Sequence, residues 1–332
     1  MLKHVRNRGT ILIGAVVAVL VLTLSPQAAA DPAATGLLNP TAPTSPDGRT
    51  IDPAVLAERI NTRIAPATAP STKSAASDGA DRRSVQAQEG IIGPMSAPGT
   101  STVIGPDDNR YATNPADWYP ASSTVFFTRT VGASVNRWCT GWLINANTVI
   151  TAGHCVHTGG SGGSWYSAAS FTAWPGRFGA STPFGSCSVS QVHSVSGWTV
   201  SNNPEYDYGA MKLNCSVGNT TGTFGFMWQS ASLDGTATYN RGYSQDKAFG
   251  EQWASYDQIR ASQVRRLFYQ HDTEGGNSGG PVYTYSNTNC GGPCGVAVHA
   301  YGTGGGAPGA TNNSGTRITE GVFNNFIYWE GL

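Results

Sequence analysis

Charged residues are scarce in this chain of 332 residues: Asp, Glu, Lys and Arg together make up 12% of it and balance to a formal net charge of +0. A chain with no excess of either sign has no overall preference for nucleic acid or acidic membranes, so partners must be inferred from local motifs. Glycine is frequent instead, with 42 copies. This composition favours short strands joined by glycine turns over helical bundles, whose exposed faces need many charged side chains.

Aromatic residues are missing before Tyr111, and the six cysteines all lie between Cys139 and Cys294. The earlier part of the chain therefore offers little to anchor a large core. Residues 31–101 are rich in Ala, Pro, Ser and Thr, with one stretch of helical spacing from Pro53 to Ile64. Both a disordered linker and a pro-segment of largely irregular structure are compatible with this composition.

The N-terminus carries the pattern of a secretory signal. Basic residues within the first eight positions precede an apolar run of 14 residues, from Ile11 to Leu24, and Ala28 to Ala30 form an A-x-A cleavage site. A membrane-spanning helix needs about 20 apolar residues, so this run is too short to be one. We predict that residues 1–30 are removed and that the remaining chain is extracellular and attached to no membrane. Export also favours disulfide bonds.

From about Val103 onward, short β-rich runs alternate with Gly, Asn, Ser and Pro. Strands this short and numerous predict an all-β barrel or sandwich. Near the C-terminus, apolar residues from Val322 to Ile327 recur at three- and four-residue spacing, with Thr319 as a possible N-cap and Ile318 able to contact Phe323, which predicts a closing helix. The predicted strands cover residues 123–130, 142–144, 148–151, 209–213, 280–285 and 296–301.

Three motifs carry the chemistry. His154 follows an apolar strand in the sequence Thr-Ala-Gly-His-Cys, and Ser278 lies in the sequence Gly-Asn-Ser-Gly-Gly-Pro. With an ordinary pKa of about 6.5, a histidine accepts a serine proton and returns it to a leaving group near neutral pH. Asp207 opens the apolar strand between the two motifs, where it would orient the imidazole; Glu205 is a neighbouring competitor for that role.

We therefore predict His154 as general base, Asp207 as its partner and Ser278 as nucleophile. The N–H groups of Gly276 and Ser278 are the predicted oxyanion hole, because glycines let the backbone turn its N–H groups toward a developing negative charge. His157 and His193 lack comparable surroundings and are interpreted as surface residues.

These motifs, in the chain order His, Asp, Ser, resemble those of the chymotrypsin-fold serine proteases, and within them the chain is similar to the bacterial glutamyl endopeptidases. The resemblance covers roughly residues 102–330. It implies two six-stranded antiparallel β-barrels with a C-terminal α-helix and catalysis in the cleft between the barrels. The segments that carry it are Val103 to Asp108, Thr151 to Cys155, Tyr206 to Leu213, Asp272 to Val282, Cys290 to His299 and Gly315 to Thr319.

The resemblance also decides the domain boundaries. A secreted protease needs restraint until export, so a pro-segment becomes the better interpretation of residues 31–101. We predict the protease domain at residues 102–332, with the first barrel at about 102–208 and the second barrel and helix at about 209–332.

The sequence supports two interpretations of which residue the enzyme prefers before the cleaved bond. Asp272 stands six residues before Ser278, the position at which trypsin-like enzymes hold the acid that binds Lys or Arg. Similar glutamyl endopeptidases also carry an aspartate there, and their pocket is marked by a Thr or Ser at the next position and a histidine on a later strand. This chain has Thr273 and His299, which are able to donate hydrogen bonds to a carboxylate. We therefore expect cleavage after Glu, and less readily after Asp.

The residue before the nucleophile bears on activation. Asn277 is neutral, so it cannot form the ion pair with a new N-terminal amine that chymotrypsin-like zymogens use. In similar glutamyl endopeptidases the mature amine helps form the pocket instead, and Val103 to Gly105 resembles that mature start. We expect cleavage close to Thr102 or Val103.

Six cysteines allow 15 pairings, which the sequence alone does not resolve. The family pattern indicates Cys139 with Cys155, and we further expect Cys187 with Cys215 and Cys290 with Cys294. No Cys-x-x-Cys or His-x-x-x-His motif is present, so we expect no metal and no other cofactor. We interpret the acidic pair Asp107 and Asp108 as a solvated loop rather than a calcium site.

Taken together, these inferences predict a secreted, monomeric serine endopeptidase that acts on proteins or peptides through an acyl-enzyme and is restrained by its own pro-segment. One alternative is a trypsin-like enzyme that uses Asp272 to bind Lys or Arg. Another is a catalytically inactive relative that uses the same surface only for binding. The complete set of His154, Asp207 and Ser278 argues against the inactive relative.

Overall fold

The computed structural model describes residues 39–47, 64–65, 102–113 and 119–332. The predicted signal and most of the stretch from Pro53 to Ile64 lie outside this part of the chain, and Ile64 itself belongs to a strand. The strands are β1 (Pro43–Thr44), β2 (Ile64–Ala65), β3 (Tyr111–Ala112), β4 (Thr124–Val131), β5 (Ser134–Leu143), β6 (Thr148–Thr151), β7 (Phe171–Pro175), β8 (Cys187–Val195), β9 (Gly209–Leu213), β10 (Gly225–Met227), β11 (Ala237–Gly242), β12 (Trp253–Ser262), β13 (Arg266–Tyr269), β14 (Pro281–Asn287), β15 (Gly292–Tyr301) and β16 (Asn313–Arg317). The helices are α1 (Ser196–Thr199), α2 (Gly218–Thr221) and α3 (Glu320–Glu330), with 3₁₀ turns at Ala121–Ser123, Gly153–Cys155, Ala168–Ser170, Pro204–Tyr206 and Gly309–Thr311.

Six antiparallel strands close the first barrel in the order β4, β5, β6, β9, β8 and β7. Burial alternates along β7, where Phe171, Ala173 and Pro175 are buried and the residues between them are less so. The interior is filled by aliphatic and aromatic side chains such as Phe127, Val149 and Met211. In a closed barrel each strand pairs with two neighbours, which explains why strands of four or five residues suffice. The end of β8 extends beyond β7, and there it pairs with β1.

The second barrel closes in the order β11, β12, β13, β16, β15 and β14. Its core includes Ile259, Leu267, Val282 and Val296. Three further strands lie outside the closed ring: β3 pairs with β12, β10 runs parallel to β15, and β2 pairs with β10. The expected architecture of two six-stranded antiparallel barrels is therefore confirmed.

The boundary between the barrels differs from the predicted one at residue 208. Strand β9 belongs to the first barrel, because it pairs with β6 and β8. Conversely, β3 pairs with β12 and so belongs with the second barrel, although it lies in the range assigned to the first. The chain passes between barrels without any change in composition, so the sequence carried no signal of the crossing.

The predicted closing helix is confirmed as α3, and the Thr319 hydroxyl accepts a hydrogen bond from Val322 N at its start. Its apolar face packs into a cluster to which both barrels contribute, including Trp142, Phe226 and Phe326. At its other end, the buried Lys212 donates from Nζ to the carbonyl of Trp329 at 2.9 Å and to Thr148 Oγ1 at 2.7 Å. The helix therefore joins the barrels at their seam.

The six cysteines form three disulfides, Cys139–Cys155, Cys187–Cys215 and Cys290–Cys294, which are the pairs we expected. The surface interpretation of two histidines is wrong. His157 and His193 are only 4% and 1% exposed. His157 packs edge-on against Trp165, and His193 stacks on Trp329. Trp165 covers His157 from eight residues along the chain, and Trp329 covers His193 from the C-terminal helix. The folded arrangement buries both rings, which the sequence around each histidine did not reveal.

Within the described residues, every helix is too short or too polar to cross a membrane.

Candidate active site

His154 and Asp207 meet because the strands that carry them are paired. Thr151 at the end of β6 lies opposite Gly209 at the start of β9, so the turn after β6 and the residue before β9 emerge at the same end of the barrel. Asp207 Oδ2 lies 2.7 Å from His154 Nδ1, and its Oδ1 accepts a hydrogen bond from the His154 backbone N–H at 2.8 Å. The carboxylate is fully buried. Both of its oxygens thus hold the histidine in one orientation.

Contacts with β5 and close packing against Trp198 and Asp207 fix the turn that carries His154. The disulfide Cys139–Cys155 ties it to β5, and the indole of Trp138 donates to the carbonyl of Cys155 at 2.8 Å. Gly153 is required next to the histidine, because a Cβ there would lie 2.9 Å from Trp198 and 3.0 Å from Asp207 Oδ1. Small and cross-linked neighbours thus fix the ring position.

Ser278 lies in a glycine turn of the second barrel that is anchored to the first. Thr140 on β5 donates from its N–H to the carbonyl of Ser278 at 2.9 Å and from its hydroxyl to the carbonyl of Gly276 at 2.8 Å. Gly276 and Gly279 have φ of 93° and 86°, a region that favours glycine. Among the described residues, the N–H groups of Gly276 and Ser278 donate no hydrogen bond. Both donors therefore remain available to a ligand.

The structure brings the serine and histidine loops together but does not join their side chains. Cys155, next to the histidine, has its sulfur 3.8 Å from the carbonyl of Ser278. Within the described part of the chain, the buried Nε2 of His154 has no hydrogen-bond partner. The hydrogen bond between Ser278 Oγ and His154 that proton transfer requires is thus not formed in this conformation, although Nε2 is unoccupied.

Asn277 has a role that the sequence did not reveal. Its side-chain carbonyl accepts a hydrogen bond from Ser244 Oγ at 2.7 Å, and its amide donates to Asn240 Oδ1 at 3.3 Å. The residue is 1% exposed. These neutral hydrogen bonds therefore hold the loop that carries Ser278 in place. They are formed in the uncleaved chain, in which residues 102–113 are still joined to the residues before them.

Asp272 binds the backbone of the chain itself. Its Oδ1 accepts from Ile104 N at 2.7 Å, and its Oδ2 accepts from Asn109 N at 2.7 Å. The residue is 1% exposed. A buried carboxylate that receives two backbone N–H groups is well satisfied, and each of its oxygens is already bound to the chain itself.

The predicted pocket residues are both buried in the second barrel. Asn313 Nδ2 donates to Thr273 Oγ1 at 3.1 Å, and His299 Nδ1 shares a hydrogen bond with the Tyr269 hydroxyl at 2.8 Å. Gly279 N, next to Ser278, donates to the carbonyl of His299 at 2.7 Å. His299 is thus joined through its backbone to the turn that carries Ser278.

The buried His299 is neutral near pH 7. Burial above all, together with the nearby His271 and His154, lowers the pKa of His299 to about 3. Repulsion of Lys or Arg by a charged His299 therefore does not contribute to specificity in the unliganded site. A neutral imidazole still offers one N–H donor, and its Nε2 makes no hydrogen bond among the described residues.

Residues 102–113 pack against the second barrel, and Thr102 lies beside the predicted pocket residue Thr273. The carbonyl of Thr102 accepts hydrogen bonds from Asn313 Nδ2 at 2.8 Å and from Thr273 N at 3.4 Å. Farther along, Arg110 pairs with Asp108 at 2.8 Å and with Asp246 at 2.6 Å. Hydrogen bonds from Arg110 and Lys247 hold the pKa of Asp108 well below its usual range. Asp108 is thus an ion-pair anchor, which the interpretation of a solvated loop did not anticipate.

Tyr301 also faces His154. Its ring centroid lies 6.2 Å from that of His154, and its buried hydroxyl lies close to the carboxylate of Asp207. Burial raises the pKa of Tyr301, and the charge of Asp207 raises it further. The phenol therefore stays protonated close to the one carboxylate of the site.

Comparison with known proteins gives the site a family context. Residues 139–291 match the family described as trypsin-like peptidase domain, a range that contains His154, Asp207 and Ser278. The chain is 42% identical over 240 residues, 71% of this chain and 72% of the relative, to a Bacillus licheniformis protein named glutamyl endopeptidase. It is 41% identical over 232 residues, 69% of this chain and 70% of the relative, to a Bacillus subtilis protein named extracellular metalloprotease.

Solved structures share the fold. The structure of a Glu endopeptidase in complex with MPD matches with a TM-score of 0.59 and 26% identity, covering 70% of this chain and 100% of that chain. The protease Anisep from Arthrobacter nicotinovorans matches with a TM-score of 0.54 and 18% identity, covering 67% of this chain and 100% of that chain. At that identity the second match concerns the fold alone.

The name of the Bacillus subtilis relative refers to a metal. Among the described residues, Cys139, His154 and Cys155 have potential ligand atoms within 4.8 Å of one another. The two sulfurs are joined in a disulfide, whereas sulfur ligands of zinc are thiolates. The Nδ1 of His154 is already hydrogen-bonded to Asp207. This set of donors therefore does not fit a metal centre.

Proposed function

Because this chain belongs to the glutamyl endopeptidase family of chymotrypsin-fold serine proteases, we propose that it hydrolyses peptide bonds on the carboxyl side of glutamate, and less readily of aspartate. The observation that carries this proposal is the pair of hydrogen bonds that Asp272 accepts. Both of its oxygens bind backbone N–H groups of the chain, so the acid that a trypsin-like pocket needs is occupied. This observation disfavours the Lys/Arg-specific alternative.

In the proposed mechanism, Ser278 attacks the scissile carbonyl and His154 Nε2 takes its proton. The tetrahedral intermediate collapses to an acyl-enzyme as His154 returns the proton to the leaving amine, and water repeats the sequence to release the acid. Asp207, held at 2.7 Å from Nδ1, keeps the imidazole in the tautomer whose Nε2 is a base and stabilises the imidazolium.

The backbone N–H groups of Gly276 and Ser278 would stabilise the oxyanion of each tetrahedral intermediate. The absence of any acceptor for these two donors among the described residues supports this role. Donors that need no rearrangement at the moment of reaction contribute most, and the hydrogen bonds from Thr140 to this turn keep it in place.

The glutamate side chain would be bound by Thr273 and His299. A buried carboxylate requires hydrogen-bond donors, because leaving it unpaired costs several kcal/mol. Tyr269 would donate its hydroxyl proton to His299 Nδ1, which leaves the N–H on Nε2 for the substrate. A bound carboxylate also favours protonation of His299, so binding would raise the pKa of His299 from its low unliganded value.

Maturation would supply one more donor. Cleavage close to Thr102 or Val103 creates an amine beside Thr273 and Asn313, since the Thr102 carbonyl already contacts both residues. A protonated amine there would add a charge-assisted hydrogen bond to the substrate carboxylate. Such cleavage fits our proposal that the pro-segment restrains the enzyme until maturation. We further propose that the enzyme is secreted and monomeric.

A panel of fluorogenic peptides that differ only in Glu, Asp, Gln, Arg or Leu before the reporter tests the proposal. The processed protein should prefer Glu over Gln, and Ser278→Ala should lower hydrolysis by several orders of magnitude while leaving secretion unchanged. Preference for Arg would overturn the carboxylate pocket. Lack of hydrolysis of every peptide by processed protein would favour the binding relative. N-terminal sequencing of active enzyme should begin within residues 101–103.

A further inference from the structure

Residues Asn39 to Asp47, within the proposed pro-segment, are docked on the protease domain. Strand β1 extends the first barrel by pairing with the end of β8, with Pro43 opposite Val195 and Thr44 opposite Ser194. The backbone pairing continues at the next residues, where Ser196 N donates to the carbonyl of Ala42 at 3.0 Å and Gly197 N donates to the carbonyl of Pro40 at 2.8 Å. Backbone recognition at a sheet edge is a common mode of peptide binding.

Side chains of the protease domain add to this recognition. Ser196 Oγ donates to the carbonyl of Asn39 at 2.5 Å. From helix α3, the buried Asn325 donates to the carbonyl of Thr41 at 3.0 Å and to the Tyr208 hydroxyl at 2.7 Å. Gly321, also on α3, leaves room for Thr41, since a Cβ on Gly321 would lie 3.2 Å from Thr41 Cγ2. The docked segment therefore touches both β8 and the closing helix.

The turn under this segment leads to the catalytic pair. Helix α1 carries Trp198, whose ring centroid lies 6.3 Å from that of His154 and whose indole donates to the carbonyl of His157 at 2.9 Å. Gly197, which binds Pro40, packs against Tyr206, since a Cβ on Gly197 would lie 2.4 Å from the Tyr206 ring. Tyr206 directly precedes Asp207 in the chain. The short helix α1 thus lies between the docked segment and the pair His154 and Asp207.

We propose that β8, α1 and α3 form a binding site for the chain's own residues 39–47, remote from the substrate pocket, and that this segment supports α1 behind His154 and Asp207. The second part of this proposal rests on the proposed function: after cleavage near Thr102, the segment stays bound as a separate peptide. The contacts are made by carbonyls of the segment and by donors of the protease domain, so peptide-bond cleavage 50 or more residues downstream breaks none of them.

Gly321 offers a variant aimed at this contact. The three atoms nearest to a Cβ at this position, all within 4 Å, belong to Thr41. Leucine favours a helix more than glycine does, so a loss of stability in Gly321→Leu would have to come from displacement of the segment. Thr41→Gly removes the three atoms that the new side chain meets and is the rescue partner. Gly162→Leu is the matched control, because a Cβ at Gly162 meets nothing within 4 Å.

Hydrogen exchange on the full chain carrying Ser278→Ala measures docking without any catalysis. The amides of Ser196 and Gly197 should exchange at least about tenfold faster in Gly321→Leu, recover in the double variant with Thr41→Gly, and stay unchanged in Gly162→Leu. Unchanged exchange in Gly321→Leu, or equal acceleration in the Gly162 control, would overturn the binding site.

Gel filtration of the cleaved wild-type protein tests retention. The fragment ending near residue 101 should elute with the protease domain and separate from it in Gly321→Leu. Separate elution in the wild type, together with protected amides in the uncleaved chain, would overturn retention after cleavage. A chain that hydrolyses none of the peptides would contradict the proposed function, yet the exchange measurement would still decide whether residues 39–47 are bound.

Discussion

The two halves of the site are built differently. On the first barrel, His154 and Asp207 come from adjacent strands, and two hydrogen bonds join them. On the second barrel, Thr273 N donates to the carbonyl of Thr102, and the neighbouring Asp272 binds Ile104 across 168 residues. The proposed acid–base pair is therefore complete within one barrel, whereas the Thr273 side of the proposed pocket needs residues 102–113 in position.

The largest effect should come from breaking the first-barrel half. Asp207→Asn keeps the shape of the side chain but cannot hold the imidazole in the required tautomer, so kcat should fall by about 10⁴-fold. Peptide hydrolysis and thermal unfolding of the secreted protein are the measurements. Glu205→Gln, which changes the neighbouring acid, should leave kcat within a few-fold of wild type. A comparable loss in Glu205→Gln would mean that the wrong acid has been assigned.

Breaking the second-barrel half should change selectivity more than chemistry. His299→Leu removes a hydrogen-bond donor from a buried carboxylate site, so kcat/KM for Glu peptides should fall by about 100-fold. Hydrolysis of a Leu peptide should change little. His193→Gln alters a buried histidine of the first barrel and serves as the control. Equal losses for Glu and Leu peptides in His299→Leu would show that the residue acts on the fold and not on specificity.

The link between the halves can be tested at Asp272. In Asp272→Asn one oxygen is replaced by an amide that cannot accept the N–H of Ile104 or Asn109, which should loosen the packing of residues 102–113 beside Thr273 and raise KM for Glu peptides by about tenfold. Glu274→Gln in the same loop is the control. A trypsin-like role for Asp272 predicts a different result, namely loss of Arg hydrolysis with Glu hydrolysis unaffected.

A smaller effect is expected at Tyr301. Tyr301→Phe removes the hydroxyl near Asp207 and should lower kcat by only about threefold, with a small shift in the acidic limb of the pH–rate profile. Tyr283→Phe is matched, because the Tyr283 hydroxyl is also buried. If both variants change the acidic limb equally, Tyr301 has no special relation to the catalytic pair.

The same contrast explains what the sequence could predict. The motifs around His154 and Ser278 are short and contiguous, and strands β6 and β9 were predicted with the bounds that the structure has. The barrels and the closing helix followed from the resemblance and from local spacing. These features are properties of neighbouring residues, so a single sequence contains them.

Local sequence patterns did not predict the contacts around the proposed pocket. Nothing near Asp272 indicates that its oxygens bind Ile104 and Asn109, and nothing near Asn277 indicates Ser244 and Asn240. Strand β8 was missed although Cys187 to Ser190 alternate between buried and exposed, the pattern of a half-buried strand. Tertiary packing, not local preference, fixes these positions.

The most direct test of the proposed chemistry is covalent labelling of the processed protein with a fluorophosphonate, followed by peptide mapping. Such reagents react with a serine whose hydroxyl is activated by a neighbouring base. We expect one adduct, on Ser278, that is lost in His154→Ala although that variant is still secreted and folded. An adduct on another residue, or undiminished labelling of Ser278 in His154→Ala, would contradict the assignment of this catalytic pair.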